Sequence, residues 1–374
     1  MAPFLDGTQG NPSALHSAGR RARRALDEAR SEAAEVLGVP STSVFFMRGG
    51  TEANNLAVAG WSRARRAEGR TPTIRCSAVE HSSIRETLLD RKRNGDACGW
   101  LSVSQQGIPD RDDLKNCPPG TLVCLMAVNH ETGTRHTLSE LAVQCRGRGH
   151  HLHTDAVQQH GDWSDLTSQV DSLSLSGHKL GAPMSTGLLF IRDPANLAPV
   201  LFGGGQERAL RPGTEDVAGA VGLARALTIV DRGPQAEEER KRVATLRDRL
   251  ESGLLERIPG LRVHGIEATR AEHILSLGVT GLPRDVLPRC LDLEGIDASA
   301  GSACRSGSTE VSPVLSGYYG RDYAASIAPL RLSLGWTTTE PEVDAAIEII
   351  SSVVERLRIV EWGRSVPTEA GAAS

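Results

Sequence analysis

The chain has 374 residues, beyond the size at which a single hydrophobic core usually stops growing, so two domains are expected. A formal net charge of -4 argues against a nucleic-acid footprint, and the arginine runs at Arg20–Arg24 and Arg63–Arg66 read as polar faces of helices. No apolar run approaches the ~20 residues of a membrane span and no basic-then-apolar leader opens the chain, so a soluble, cytoplasmic protein is expected.

In chain order, Pro12-Ser13 starts a helical pattern over Ala14–Leu37 that Gly38-Val39-Pro40 stops. Val44–Met47 reads as a strand running into Gly49-Gly50-Thr51-Glu52 and a second helix over Ala53–Arg66. Strand, glycines, hydroxyl and helix start in that order make a place for an anion, because free N–H groups and the helix dipole both favour a phosphate there. By themselves, glycines after a strand are more often just a tight turn.

Further apolar runs at Thr73–Cys76, Leu122–Val128, His151–Thr154 and Ser172–Leu175 alternate with helical patterns at Ile84–Arg91, Leu138–Arg148 and Ala156–Gln159. That alternation implies a mainly parallel sheet covered by helices on both faces. Polar residues cluster where those strands end: His81, then Asn129-His130-Glu131, then Asp155 and Gln158, then Ser176-Gly177-His178-Lys179. Ligands in such sheets bind beyond the carboxyl ends of the strands. A lone His81 or Asp155 would be a cap or a surface residue, but four strands ending in polar groups mark a site. Of the lysines Lys92, Lys115, Lys179 and Lys241, only Lys179 follows a strand with Ser and His beside it. A partly buried amine suited to a Schiff base is expected there, the alternative being a lysine that leads the chain out to solvent.

Another strand at Leu188–Ile191 leads to Gly203-Gly204-Gly205 and to Arg211-Pro212-Gly213-Thr214-Glu215, followed by helices over Asp216–Ile229 and Ala236–Ile258. The remainder reads as α+β, with strands near Leu261–Val263, His273–Leu277 and Leu330–Leu334 and helices at Arg284–Glu294 and Glu340–Leu357. The expected division is a large domain over 14–235 behind an N-terminal segment 1–13, and a small domain over 236–374 whose tail from 362 is disordered. Seven cysteines, an odd number without a CxxC pair, argue against a disulfide framework or a metal site. Cys304 stands apart, in the small-residue run Ala298–Ser308 and beside Arg305, where a thiol is exposed and biased toward thiolate.

Together these residues resemble the cysteine desulfurase and selenocysteine lyase family, class-V aminotransferase-like enzymes of fold-type I that use pyridoxal phosphate. The resemblance spans about 6–355. It rests on Gly10-Asn11-Pro12-Ser13, Gly49-Gly50-Thr51-Glu52, Val79-Glu80-His81, Thr154-Asp155, Ser176-Gly177-His178-Lys179, the 203–214 stretch and Gly301-Ser302-Ala303-Cys304. It implies a large domain with a seven-stranded-type, mainly parallel sheet and a smaller C-terminal α+β domain.

By the same resemblance Lys179 would hold pyridoxal 5'-phosphate and carry the proton at the substrate Cα, and Asp155 would keep the pyridine nitrogen protonated. His81 would stack on the ring and take the substrate thiol proton. Gln158 would bond the phenolate oxygen, and Gly50, Thr51, Ser176 and His178 would hold the phosphate, completed by Thr214 of a second subunit in a homodimer. Arg331, with His130 and Asn11, would bind the carboxylate of L-cysteine or L-selenocysteine. Cys304 would attack the substrate sulfur and pass it as a persulfide to an acceptor protein.

Three departures stand out: no Ala-Thr-Thr strand precedes the Gly-Asn-Pro turn, His130 replaces an asparagine, and Ala182-Pro183-Met184-Ser185 replaces Gly-Pro-Lys-Gly. The reading implied is a cysteine desulfurase. The alternatives are a selenocysteine lyase or other β-lyase, and a degenerate homologue acting as a binding partner or sulfur-relay scaffold.

Overall fold

The computed structural model describes residues 1–5, 10–301 and 310–365, which form two compact units: one of residues up to 129 together with 136–237, and one of residues 130–135 together with those from 238 on. Six residues after the expected Asn129 strand end therefore belong to the second unit rather than to the large domain. They are tied there by a β-bridge between Thr134 and Arg270 and by an Arg135–Glu272 ion pair at 2.8 Å.

The first unit is built on seven strands: β1 (Val44–Met47), β2 (Thr73–Ser77), β3 (Ala97–Leu101), β4 (Leu122–Cys124), β5 (His151–Asp155), β6 (Ser172–Ser176) and β7 (Gly187–Ile191), in the spatial order β1-β7-β6-β5-β4-β2-β3. Strands β6, β5, β4, β2 and β3 run parallel, and β7 is antiparallel to both of its neighbours. Strand β1 therefore points the same way as β6, and the chain segments that leave β1, β2, β4, β5 and β6 all emerge along one edge. Every residue of β1, β4, β6 and β7 is buried, as a sheet covered on both faces requires.

The helix Ser17–Leu37 covers one face with a stripe of Ala22, Leu26, Ala29, Ala33 and Leu37, and it ends at Gly38 in the left-handed region (φ 65°). Two local expectations fail for identifiable reasons. Residues 156–159 form a turn, because the Asp155 carboxylate accepts the Val157 N–H at 2.9 Å and caps the chain out of helix. The half-exposed edge strand β3 has no apolar alternation to announce it.

The second unit carries β8 (Arg262–Val263), β9 (Ile274–Thr280) and β10 (Ile327–Ser333) as an antiparallel sheet in the order β10-β9-β8. Its core joins Leu246, Leu250 and Leu254 of helix Ala236–Arg257 to Leu277, Leu330 and Ile350. The last helix, Glu340–Ser365, continues past the point where the tail was expected to lose its structure; residues 366–374, like Cys304, lie outside the described residues.

Candidate active site

The common edge of the parallel strands gathers the predicted residues that follow β1, β2, β5 and β6. Leaving β1, the chain passes through Gly49 at φ 128° into a helix beginning at Gly50. A Cβ on Gly50 would lie 2.6 Å from Val157 Cγ2 and 3.5 Å from Ser176 Cβ, so only glycine lets this helix start come so close to the segments leaving β5 and β6. Thr51 is exposed at that helix start. Ser176, the last residue of β6, is buried, and its Oγ is 3.0 Å from His178 Nδ1. Burial, followed by the Lys179 charge, pushes the His178 imidazole below its ordinary value and favours a neutral ring. Hydroxyl, imidazole and helix start thus lie close together beyond the ends of β1 and β6.

Asp155 ends β5 and is 4 % exposed. Its Oδ1 accepts from the Val157 N–H at 2.9 Å and its Oδ2 from Asn54 Nδ2 at 2.7 Å. Among the described residues it has no ion-pair partner. A carboxylate offers about four acceptor positions, so two remain for a further donor, and a buried anion without a cation is costly. A protonated ring nitrogen supplies both what the lone pairs accept and the charge the site lacks. Beside it Glu80 is 1 % exposed, with Oε1 accepting from the Met126 N–H at 2.7 Å. Burial, then the Asp155 charge, pushes that carboxyl up to about 8.

Lys179 sits in the single 3-10 turn Gly177–Leu180 that follows β6, the strand paired with β5. It is exposed, not partly buried as its position in the sequence suggested. The turn carries the chain out of the sheet immediately after Ser176, so the stem leaves the core within three residues. His81 is half-buried and caps the helix Ser82–Arg93. Gln158 is buried in the turn after Asp155.

Other candidates stand elsewhere. Asn11 is exposed and its Oδ1 accepts from the Ser13 N–H at 2.8 Å, so its side chain serves its own turn. Thr214 is exposed in the segment before the helix Val217–Arg232. In the second unit, Arg331 on β10 donates from Nη1 to the His130 carbonyl at 2.8 Å, so the two are coupled through the backbone. The imidazole of His130 is buried, with Nε2 3.8 Å from the Glu131 carboxylate. The residue that sequence reading missed is Asn54. Its only signal was an amide one helical turn after Thr51, on the face turned toward the sheet.

A profile of the class-V aminotransferase family matches residues 1–346. The chain belongs to that family. An IscS-like cysteine desulfurase of Mycobacterium tuberculosis is 38% identical over 98% of this chain and 93% of its own. Among solved structures, a NifS-like protein superposes with a TM-score of 0.84 at 28% identity, covering 95% of this chain and 94% of the other. SspA in complex with cysteine superposes at 0.75, with 26% identity over 90% and 94% of the two chains. The family works with pyridoxal phosphate, and the seven-stranded sheet is that of fold-type I.

Proposed function

We propose that this protein is a pyridoxal-phosphate-dependent L-cysteine desulfurase. The observation that carries the reading is the buried Asp155 carboxylate, bonded by Asn54 and Val157 yet without an ion-pair partner among the described residues, on the strand beside the one that delivers Lys179. Pyridoxal phosphate brings an aldehyde that amines attack and a ring that withdraws electrons when its nitrogen is protonated.

The chain's own residues do the rest. Asp155 holds the proton on the ring nitrogen. Lys179 holds the cofactor and moves the proton at the substrate Cα. Gly50, Thr51, Ser176 and His178 bind the phosphate, and Gln158 the phenolate oxygen. Arg331 supplies the guanidinium for the substrate carboxylate. The Cys304 thiolate attacks the substrate sulfur; an S–S bond forms as the C–S bond breaks, the released carbon gains a proton, and alanine leaves with a persulfide on Cys304. The reading extends to a cytoplasmic homodimer in which Thr214 completes the partner's phosphate site, and to transfer of the persulfide sulfur to an acceptor protein.

The test is a pair of measurements on the purified protein: a visible absorption band reducible by borohydride, and alanine and sulfide formation from cysteine. Lys179→Ala should abolish both. A Lys179→Ala protein that keeps a reducible lysine-linked band would overturn the assignment.

A further inference from the structure

Asn54 is 1 % exposed and lies at the junction of a buried polar network that links two of the first unit's candidate residues, Asp155 and His81. Its Nδ2 donates to Asp155 Oδ2 at 2.7 Å and to Ser83 Oγ at 2.8 Å, and its Oδ1 is 3.2 Å from His153 Nε2. Ser83 Oγ is in turn 2.8 Å from His81 Nδ1, and the Ser83 backbone N–H donates to the same nitrogen at 3.2 Å. On the other branch His153 Nδ1 is 2.9 Å from Ser172 Oγ, which is 3.1 Å from His151 Nε2.

The direction of donation throughout is decided at Asp155. An ionised carboxylate only accepts, so Asn54 must turn its NH2 group toward it and its carbonyl toward His153. One N–H of that group goes to Asp155 and the other to Ser83. The Ser83 oxygen is thereby an acceptor from Asn54, and its single hydroxyl proton is left for His81 Nδ1. With the Ser83 amide aimed at the same atom, Nδ1 receives two donors and cannot itself carry a proton. The other branch agrees: His153 must hold its proton on Nε2 to reach the Asn54 carbonyl, and Nδ1 then accepts from Ser172. Burial keeps His153 neutral by pushing its imidazole down to about 3, so this end of the network adds no competing charge.

We propose that Asn54 and Ser83 are positioning residues that fix His81 as the Nε2–H tautomer, so that His81 serves the substrate as a hydrogen-bond donor and not as the base for its thiol proton. The proposal rests on the desulfurase reading for the identity of that substrate, and it differs from the role that the family resemblance implied for His81. To act as a base at Nε2 the ring would need its proton moved to Nδ1. The Ser83 hydroxyl would have to turn away and the Ser83 amide would lose its acceptor, so two hydrogen bonds oppose the change.

The test is nitrogen NMR of the holoenzyme labelled at the histidine rings, with His81→Gln used to identify the His81 signals. In the wild type, Nδ1 should resonate as unprotonated and Nε2 as protonated. Ser83→Ala should shift the tautomer ratio toward Nδ1–H about fivefold, the weight of one neutral hydrogen bond, and Ser83→Thr should restore it. Asp155→Asn should shift it in the same direction, because an amide at that position lets Asn54 turn over. A wild-type His81 with its proton on Nδ1, or a ratio indifferent to Ser83→Ala, would overturn the proposal. Neither result bears on whether alanine is formed, so a protein that makes no alanine would overturn the desulfurase reading alone.

Discussion

At the scale of single residues, the site is two buried carboxyls with different fates. Glu80, 1 % exposed and beside the Asp155 charge, is the one that keeps its proton. Asp155→Asn, which keeps the shape and removes the charge, should lower turnover by roughly 10²–10³ while leaving the fold intact, the scale of a lost preorganised electrostatic contact. The spectrum of the bound cofactor against pH checks it.

Glu80 has a consequence for stability. Its carboxyl stands at about 8 in the fold against an ordinary 4.5, so between those values the folded chain holds a proton that the unfolded chain has lost. The stabilisation is complete below pH 4.5 and disappears as pH rises toward 8. Urea midpoints of the wild type should therefore fall across that window relative to Glu80→Gln, whose amide does not titrate. Parallel curves for the two proteins would remove Glu80 from the explanation. Cys304→Ser should keep cofactor binding and lose sulfide release, as measured by the absorption band and by sulfide trapping.

At the scale of elements, the lysine turn and the glycine helix start are held by close approach. A Cβ on Gly177 would fall 2.1 Å from Thr186 Oγ1 and 3.0 Å from the Ala182 Cβ. Gly177→Ala must push the Lys179 turn away from β7, at a cost of about 1–3 kcal/mol. Both the thermal midpoint and the retained cofactor should drop. The segment leading to Thr214 is anchored differently. Glu207, Arg208 and Ala209 take left-handed φ of 45°, 54° and 63° in succession, conformations that L-residues adopt only when something holds them. Glu207 holds them: its carboxylate bonds both Arg30 amines, at 2.8 and 2.7 Å, and accepts the Phe46 N–H of β1 at 3.0 Å. Breaking this buried pair with Glu207→Ala should cost about 3–5 kcal/mol, read from denaturant unfolding.

For the whole molecule, the exposed stretch around Thr214 includes Leu201 and Phe202, 49% and 74% exposed, an apolar surface of the kind that a second copy of the chain covers. A homodimer whose interface buries more than ~2,000 Å² should persist at micromolar concentration in light scattering. A monomer that still holds the cofactor would contradict it. Among the described residues no helix is long and apolar enough to cross a membrane.

Much of this was legible from residue order alone. Alternating apolar runs required a covered parallel sheet, and because parallel strands share a direction, residues following successive strands had to meet at one edge. His81, Asp155 and Lys179 were therefore findable without coordinates, as was the glycine-led helix start. What periodicity could not supply was anything set by contacts between distant segments. Asn54 lies 101 positions from the carboxylate it binds, so its junction of Asp155, Ser83 and His153 exists only once helix and sheet are packed. The same holds for Glu80, whose proton is retained through burial, and for residues 130–135, drawn into the second unit by pairing with Arg270 and Glu272. Local sequence determined which groups lie at the strand ends; tertiary packing decided which of them carry charge and which way each proton faces, because burial and hydrogen-bond partners are properties of the assembled fold.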